Sequence, residues 1–218
     1  MAQQRIHIME SDMKLIDLFQ KYKCDKGYKH RYDYVYEKIF ESVKDQELNI
    51  LEIGVFKGAS TQAFVEYFPN AKFYALDLFV RVKPEQIDIL NHERVQWLKG
   101  DSMNPAIRSQ VAKAFPGVKF DFIIDDGMHT PKANKATFEN LKPLLKDGGS
   151  YIIEDVWPLE RMSAEELKHP WLQRHSDRYQ TLDNNDFLLV LDKSGMEIKR
   201  YDLRKTSGEP DSYIIELT

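Results

Sequence analysis

The amino-acid sequence predicts an α/β protein with a mostly parallel sheet and helices on both faces. Two observations point to this class, and a third bounds its size. Short β-forming runs alternate with helix-like stretches for most of the length, and such alternation implies right-handed crossovers and parallel strands. The last runs follow one another without long helices between them, which suits an antiparallel edge that finishes the sheet. The chain has 218 residues, 42% of them hydrophobic, enough for one domain with a sizeable core.

The elements follow in order. Residues 1–48 are helical in pattern and rich in tyrosine, and are expected to cover the first strand as a lid segment, with the main domain over 49–218. NILEIGV (49–55) is the first strand, and ASTQAFVEYF (59–68) is a helix that stops at Pro69. KFYALDLF (72–79) and VQWLKGD (95–101) are the second and third strands. After the helix PAIRSQVAKAF (105–115) comes the fourth strand, FDFIIDDG (120–127). The next stretch reads as a helix with Thr130 as N-cap, Pro131 at its first position, and Phe138, Leu141 and Leu145 on one face. Gly148 ends that pattern, and Pro143 inside it predicts a kink or an earlier stop. GSYIIEDV (149–156) is the fifth strand; FLLVLDK (187–193), MEIKRYDL (196–203) and SYIIELT (212–218) are read as strands of the edge.

Composition narrows the function. A formal net charge of −4 argues against nucleic acid as the main partner. The single cysteine, Cys24, rules out an intrachain disulfide and a thiolate zinc cluster, and reads as a small packed residue. The N-terminus lacks the plan of a signal peptide and no apolar run is long enough to span a membrane, so a cytoplasmic protein is expected. Nothing in the sequence decides the oligomeric state, and a homo-oligomer is compatible with it.

The chemistry-bearing residues fall at strand ends, where ligands of open parallel sheets bind. Glu52, Gly54, Gly58 and Ser60 surround the end of the first strand. The spacing is G-x-x-x-G, so the dinucleotide signature G-x-G-x-x-G is absent; Gly54 is expected to admit a ligand close to the backbone and Gly58 to make the turn into the helix. Asp77 closes the second strand, where a carboxylate suits a ribose diol, and Asp101 with Ser102 closes the third, placed either to read an adenine edge or to cap a helix. The fourth and fifth strands end in FIIDDGMH (122–129) and YIIEDVW (151–157). If these strands are neighbours, about 4.8 Å apart, Asp126, Glu154 and Asp155 converge and would repel one another unless a cation or protons intervene. An all-oxygen set favours Mg²⁺, with Mn²⁺ or Ca²⁺ as alternatives. His129 lies just beyond, on a loop where a base can reach a metal-bound hydroxyl. His92, His169 and His175 sit in polar contexts and read as solvated, and Trp157 as either core or pocket wall.

LEIGVFKGAS, YALDLF, GDSMN, FIIDDGMH and YIIEDVW, together with DKGYKHRYDYVYE (25–37), resemble the Mg²⁺- and S-adenosylmethionine-dependent O-methyltransferases that tailor macrolide sugars, the mycinamicin and macrocin enzymes among them. The resemblance spans residues 15–193. It implies a Rossmann-like class I methyltransferase fold with a seven-stranded type of sheet, to which 196–218 would add an extra hairpin. It also implies adenosylmethionine over the first three strand ends, metal on Asp126, Glu154 and Asp155, and His129 as base. Lys26, His30 and Tyr32 would close over cofactor or substrate. Met128 stands where that family commonly has serine.

The expected activity is therefore metal-assisted methyl transfer to a hydroxyl, one of a vicinal diol on a sugar, macrolide or related natural product. A catechol-type methyltransferase, a cephalosporin-hydroxylase-like component and a non-catalytic cofactor-binding subunit are the alternatives.

Overall fold

The computed structural model describes residues 13–218; residues 1–12, which include the N-terminal stretch read above for a signal peptide and the start of the expected lid segment, lie outside the described residues. Three short helices come first: α1 (Leu15–Lys21), α2 (Asp25–Tyr28) and α3 (Asp33–Phe40). The sheet and its crossovers follow as β1 (Asn49–Ile53), α4 (Ala59–Tyr67), β2 (Lys72–Asp77), β3 (Val95–Lys99), α5 (Ile107–Ala114), β4 (Phe120–Asp125), α6 (Pro131–Leu141) and β5 (Leu145–Ile153). After β5 come α7 (Pro170–Arg174), α8 (Thr181–Asp192), β6 (Ile198–Asp202), α9 (Arg204–Ser207) and β7 (Tyr213–Leu217).

The strands form one seven-stranded sheet in the order β3-β2-β1-β4-β5-β7-β6. The first five are parallel, and β7 runs antiparallel between β5 and β6. The expected C-terminal hairpin exists, but it is no addition to the sheet: its two strands supply the sixth and seventh positions. The mixed sheet with helices on both faces is the Rossmann-like class I methyltransferase architecture that the sequence predicts.

Two sequence expectations give way. FLLVLDK is not a strand but the C-terminal half of α8. Asn184, Phe187 and Leu191 are its buried positions while Leu182 and Leu189 face solvent, a helical spacing that a short apolar run conceals. The helix from Pro131 stops at Leu141, because Pro143 sits in a 3-10 turn over Lys142–Leu144. Leu145, expected on the helix face, opens β5 instead. Between Leu145 and Ser150 the register with β4 shifts, and Gly148 lies within that irregular stretch at φ 76°. Thr130 does cap α6, its hydroxyl accepting from the Ala133 amide at 3.3 Å.

The N-terminal helices are built into the core. Phe19, Tyr36 and Phe40 pack edge-on or stacked with Phe64 and Phe68 of the α4 region, with ring centroids 4.9–6.5 Å apart. Each such aromatic contributes about 1.5–3 kcal/mol by burial, so α1 and α3 are held by apolar packing before any polar contact is counted. Trp157 belongs to a small separate cluster with Leu159, Met162 and Leu172, and is core. Cys24 is buried, and burial pushes its thiol up to about 12. No helix among the described residues is long and apolar enough to cross a membrane.

Candidate active site

Strand register brings the suspected residues into one row. Ile53 of β1 lies opposite Asp125 of β4, and Asp125 opposite Ile153 of β5. The next amides continue the ladder: Asp126 donates to the Ile53 carbonyl and Glu154 to the Asp125 carbonyl. Asp126, Glu154 and Asp155 thus leave neighbouring strands at the same height. Gly54 is required here for a reason the sequence does not reveal. It adopts φ 88°, and a Cβ on it would sit 2.0 Å from the Asp126 carbonyl oxygen. The close approach is to the chain's own β4 end, where a ligand was expected. Gly58, at φ 75°, makes the left-handed entry to α4 as expected.

At the β1 and β2 ends the acids are held by nearby backbone and hydroxyls. Asp77 accepts from the amides of Val55 (2.7 Å), Phe56 (3.1 Å) and Phe79 (2.6 Å), tying the loops after β1 and β2 together. A carboxylate offers about four lone-pair sites, so the ribose role expected of Asp77 is restricted to the direction these amides leave open. Glu52 is buried and accepts from the hydroxyls of Ser60 and Thr61; it therefore fixes the start of α4 from within. Asp101 accepts from the Met103 amide at 2.9 Å in a local turn, well before α5. Ser102 shares a hydrogen bond with Thr137 at 2.9 Å, and its carbonyl accepts from Asn140, joining the β3 end to α6.

At the β4 and β5 ends the partners come from the N-terminal segment. Lys26 Nζ lies 2.5 Å from Asp126 Oδ2 and 2.5 Å from Glu154 Oε2, with its side chain 3% exposed. Tyr36 donates to the other oxygen of Glu154. Tyr32 donates to Asp155 Oδ1 at 2.5 Å and accepts from the Asp155 amide at 3.1 Å. His30 stacks on Tyr32, pairs with Ser212 at 2.9 Å and lies 3.6 Å from Asp155. Lys26, His30 and Tyr32, expected to close over cofactor or substrate, close over the acids instead.

Burial opposes the charge of Lys26, but Asp126 and Glu154 more than offset it and hold its pKa well above the ordinary lysine value. Burial likewise opposes ionisation of Asp155, yet His129, His30 and Tyr32 prevail and lower its pKa. Asp125 beside them is pushed up to about 7, chiefly by burial.

His129 and Asp155 both take left-handed backbone, at φ 58° and 52°. Such conformations cost non-glycine residues energy and collect at functional sites. They turn His129 Nε2 toward Asp126 Oδ1 (3.6 Å) and Asp155 Oδ2 (3.9 Å). These three residues offer ligand atoms that all lie within 4.8 Å of one another, slightly wider than the roughly 4.2 Å that opposite ligands of Mg²⁺ span. The carboxylates of Asp126 and Asp155 suit a small divalent cation, with the His129 imidazole next to it. Glu154, expected as the third carboxylate ligand, lies behind this group with both oxygens engaged.

A cavity of about 370 Å³ is lined by Met103, Thr130, Asp177, Arg178 and Asp183 among others, and by Met128, the residue before His129. A hollow of about 490 Å³ near α1 and α4, lined by Lys21, Tyr22, Glu66 and Arg94 among others, touches none of the strand-end acids. Three of the remaining histidines are peripheral. His92 and His169 accept backbone amides two residues on, and the His175 ring lies tilted against Trp171. Sequence reasoning missed Tyr36 and the true partners of Lys26. The signal for Tyr36 was present, since it lies four residues after Tyr32 on one helical face.

Comparison with known proteins agrees with this arrangement. Residues 51–156 match a family model described as a methyltransferase domain. The chain is similar to the mycinamicin VI 2''-O-methyltransferase of Micromonospora griseorubida, 28% identical over 66% of this chain and 36% of that protein. It is equally similar to the demethylmacrocin O-methyltransferase of Streptomyces fradiae, 28% identical over 66% of this chain and 36% of that protein. The chain thus spans little more than a third of the length of these relatives. Among solved structures, the MycE methyltransferase of the mycinamycin pathway, in complex with Mg, SAH and mycinamycin VI, superposes with a TM-score of 0.67, 23% identity, and 94% of this chain against 54% of that one. The sheet order agrees with these likenesses: the chain carries the Rossmann-like fold of class I methyltransferases, and its residues 51–156 match the methyltransferase domain model.

Proposed function

We propose that the protein transfers a methyl group from S-adenosylmethionine to a hydroxyl of a small molecule, one of a vicinal diol on a sugar-bearing natural product, with a divalent cation at the β4 and β5 ends. The observation that carries this reading is the convergence of Asp126, His129 and Asp155 at the ends of β4 and β5. It is supported by relatives that are named as sugar O-methyltransferases.

Asp77 and the loop it ties would bind the ribose, with Glu52 and Ser60 shaping the turn beneath and Asp101 and Ser102 lying toward the base. Asp126 Oδ1 and Asp155 Oδ2 would hold Mg²⁺, Glu154 supporting them from behind. Adenosylmethionine would supply an electrophilic methyl and leave as the neutral thioether, and a bound cation would acidify and orient the acceptor hydroxyl. His129 Nε2 takes the hydroxyl proton, and the two carboxylates within 4 Å of it stabilise the imidazolium that results. Much of the acceleration comes from alignment of oxygen and methyl. Met128, 53% exposed at the cavity edge, gives the acceptor an apolar surface to lie against.

The test is a labelled-methyl assay on sugar, macrolide and catechol acceptors, with Mg²⁺ and with EDTA. Transfer to a sugar diol that EDTA abolishes is the expected result. Transfer that is indifferent to EDTA, or confined to catechols, would overturn the reading.

A further inference from the structure

We propose that Trp171 is a specificity-determining residue of the acceptor site: its exposed indole stacks on a second sugar ring, so the favoured acceptor is a glycan of two or more rings with the reacting hydroxyl on the terminal one. The inference rests on the reading that the protein methylates a sugar hydroxyl at the β4 and β5 ends.

The segment that carries Trp171 leaves the sheet at Asp155. Residues 156–180 run through 3-10 turns at Leu159–Arg161 and Glu166–Lys168 and through α7 before α8 begins. They fold over a small core of their own, Trp157, Leu159, Met162 and Leu172, with Tyr179 packed against it. Such a core holds the segment in shape, and binding residues collect on loops that are held in this way. Its two tryptophans differ. Trp157 is 4% exposed and Trp171 46%. Trp171 is nevertheless oriented: its indole N–H donates to the Tyr179 hydroxyl at 3.5 Å, its amide donates to His169 Nδ1 at 3.3 Å, and the His175 ring lies tilted against it at 4.3 Å. The result is an open aromatic surface with a polar rim. A sugar ring matches it, with an apolar C–H face for the indole and a hydroxyl edge for the rim. A wholly apolar ligand would cover the same polar groups and leave them unpaired.

The place of Trp171 fits the second ring, not the reacting one. Tyr179 lies between it and the strand-end acids. The Tyr179 ring packs on Trp157 with centroids 5.8 Å apart. Burial is the main cause that raises its phenol pKa, and the charges of Asp211 and Asp155 add to it. The neighbouring Asp177 and Arg178 line a cavity together with Met128, the residue before His129. Trp171 stands outside Tyr179, where the ring linked to the reacting sugar would pass.

The test uses hexosides and 6-deoxyhexosides, the latter with the wider apolar face, each as a methyl monosaccharide and as a disaccharide. In protein labelled with 5-fluorotryptophan, Trp97, Trp157 and Trp171 are the three tryptophans, and Trp171→Tyr identifies the Trp171 fluorine resonance by its loss. A disaccharide should shift that resonance saturably and leave Trp97 in place. In a labelled-methyl assay its KM should lie about tenfold below that of the monosaccharide, the scale of one good aromatic contact. Trp171→Ala should remove this preference, and Trp171→Tyr, which keeps a ring, should retain it. A Trp171 resonance that no disaccharide moves, no preference in the native protein, or a preference that survives Trp171→Ala overturns the proposal and leaves methyl transfer standing. A Trp171 shift without transfer to any sugar of the panel supports the subsite and overturns the methyl-transfer reading instead.

Discussion

Two ends of the same sheet meet the same problem in different ways. At β2 the carboxylate of Asp77 is answered by three amides from its own and the adjoining loop. At β4 and β5 the carboxylates of Asp126, Glu154 and Asp155 are answered by Lys26, Tyr36 and Tyr32, from more than 90 residues earlier in the chain. Backbone amides are fixed, neutral donors and leave the Asp77 end with its negative charge. Side-chain donors can move or be displaced, and one of them is a cation. The first arrangement suits a site that binds a neutral diol; the second suits one whose charge balance must accommodate a metal. The N-terminal helices therefore do chemical work in addition to covering the sheet.

The largest expected effect lies at the β4 end. His129→Ala should lower turnover by about 10²–10⁴-fold, the usual range for a lost general base, while adenosylmethionine still binds; His129→Gln should be almost as slow, since it cannot hold the proton. Isothermal calorimetry beside a labelled-methyl assay reads both. Tyr32→Phe removes only the hydroxyl that orients Asp155, and should weaken Mn²⁺ binding or activity by about 10–100-fold, the range for partners of metal ligands. Equal loss in adenosylmethionine affinity would show that the two ends are not independent. At the β2 end, Asp77→Ala should lower adenosylmethionine affinity about tenfold or more, as the loss of charge-assisted hydrogen bonds does, and leave Mn²⁺ affinity alone.

The smallest effect concerns how α1 is fastened. Glu66 of α4 accepts from Lys21 at 2.7 Å and from Tyr22. Burial opposes its ionisation, but these two partners outweigh it, and its pKa falls below the ordinary 4.5. A depressed folded-state value means stabilisation that is fully present above 4.5 and lost as the pH falls through the folded value. Glu66→Gln should therefore cost no more than about 1 kcal/mol at neutral pH, as partly exposed pairs do, with the gap in melting temperature closing below pH 4.5. A gap that persists at pH 3 would assign the effect to packing.

The same contrast explains what was legible in the sequence. Strand ends, the DDGMH and IIED turns and the Thr130 cap are local patterns, and the structure keeps each of them. FLLVLDK was not legible as a helix, because seven residues cannot separate buried-strand from buried-helix periodicity; Asn184, upstream of the run, completes the helical face. Gly54 could be read as permissive but not as crowded, since its neighbour is a carbonyl 72 residues away. The roles of Lys26 and Tyr36 depend on where α2 and α3 dock, and no spacing within 25–37 encodes that. Resemblance singled out Lys26 but not Tyr36, and the partners of both emerged only from packing.

The metal centre itself is open to one direct measurement. Crystals grown with Mn²⁺ and measured at its absorption edge should show an anomalous peak against the carboxylates of Asp126 and Asp155, with His129 Nε2 beside it and not bonded to it. A map with no peak among these atoms, at an Mn²⁺ concentration that supports methyl transfer, would contradict a metal centre at the ends of β4 and β5.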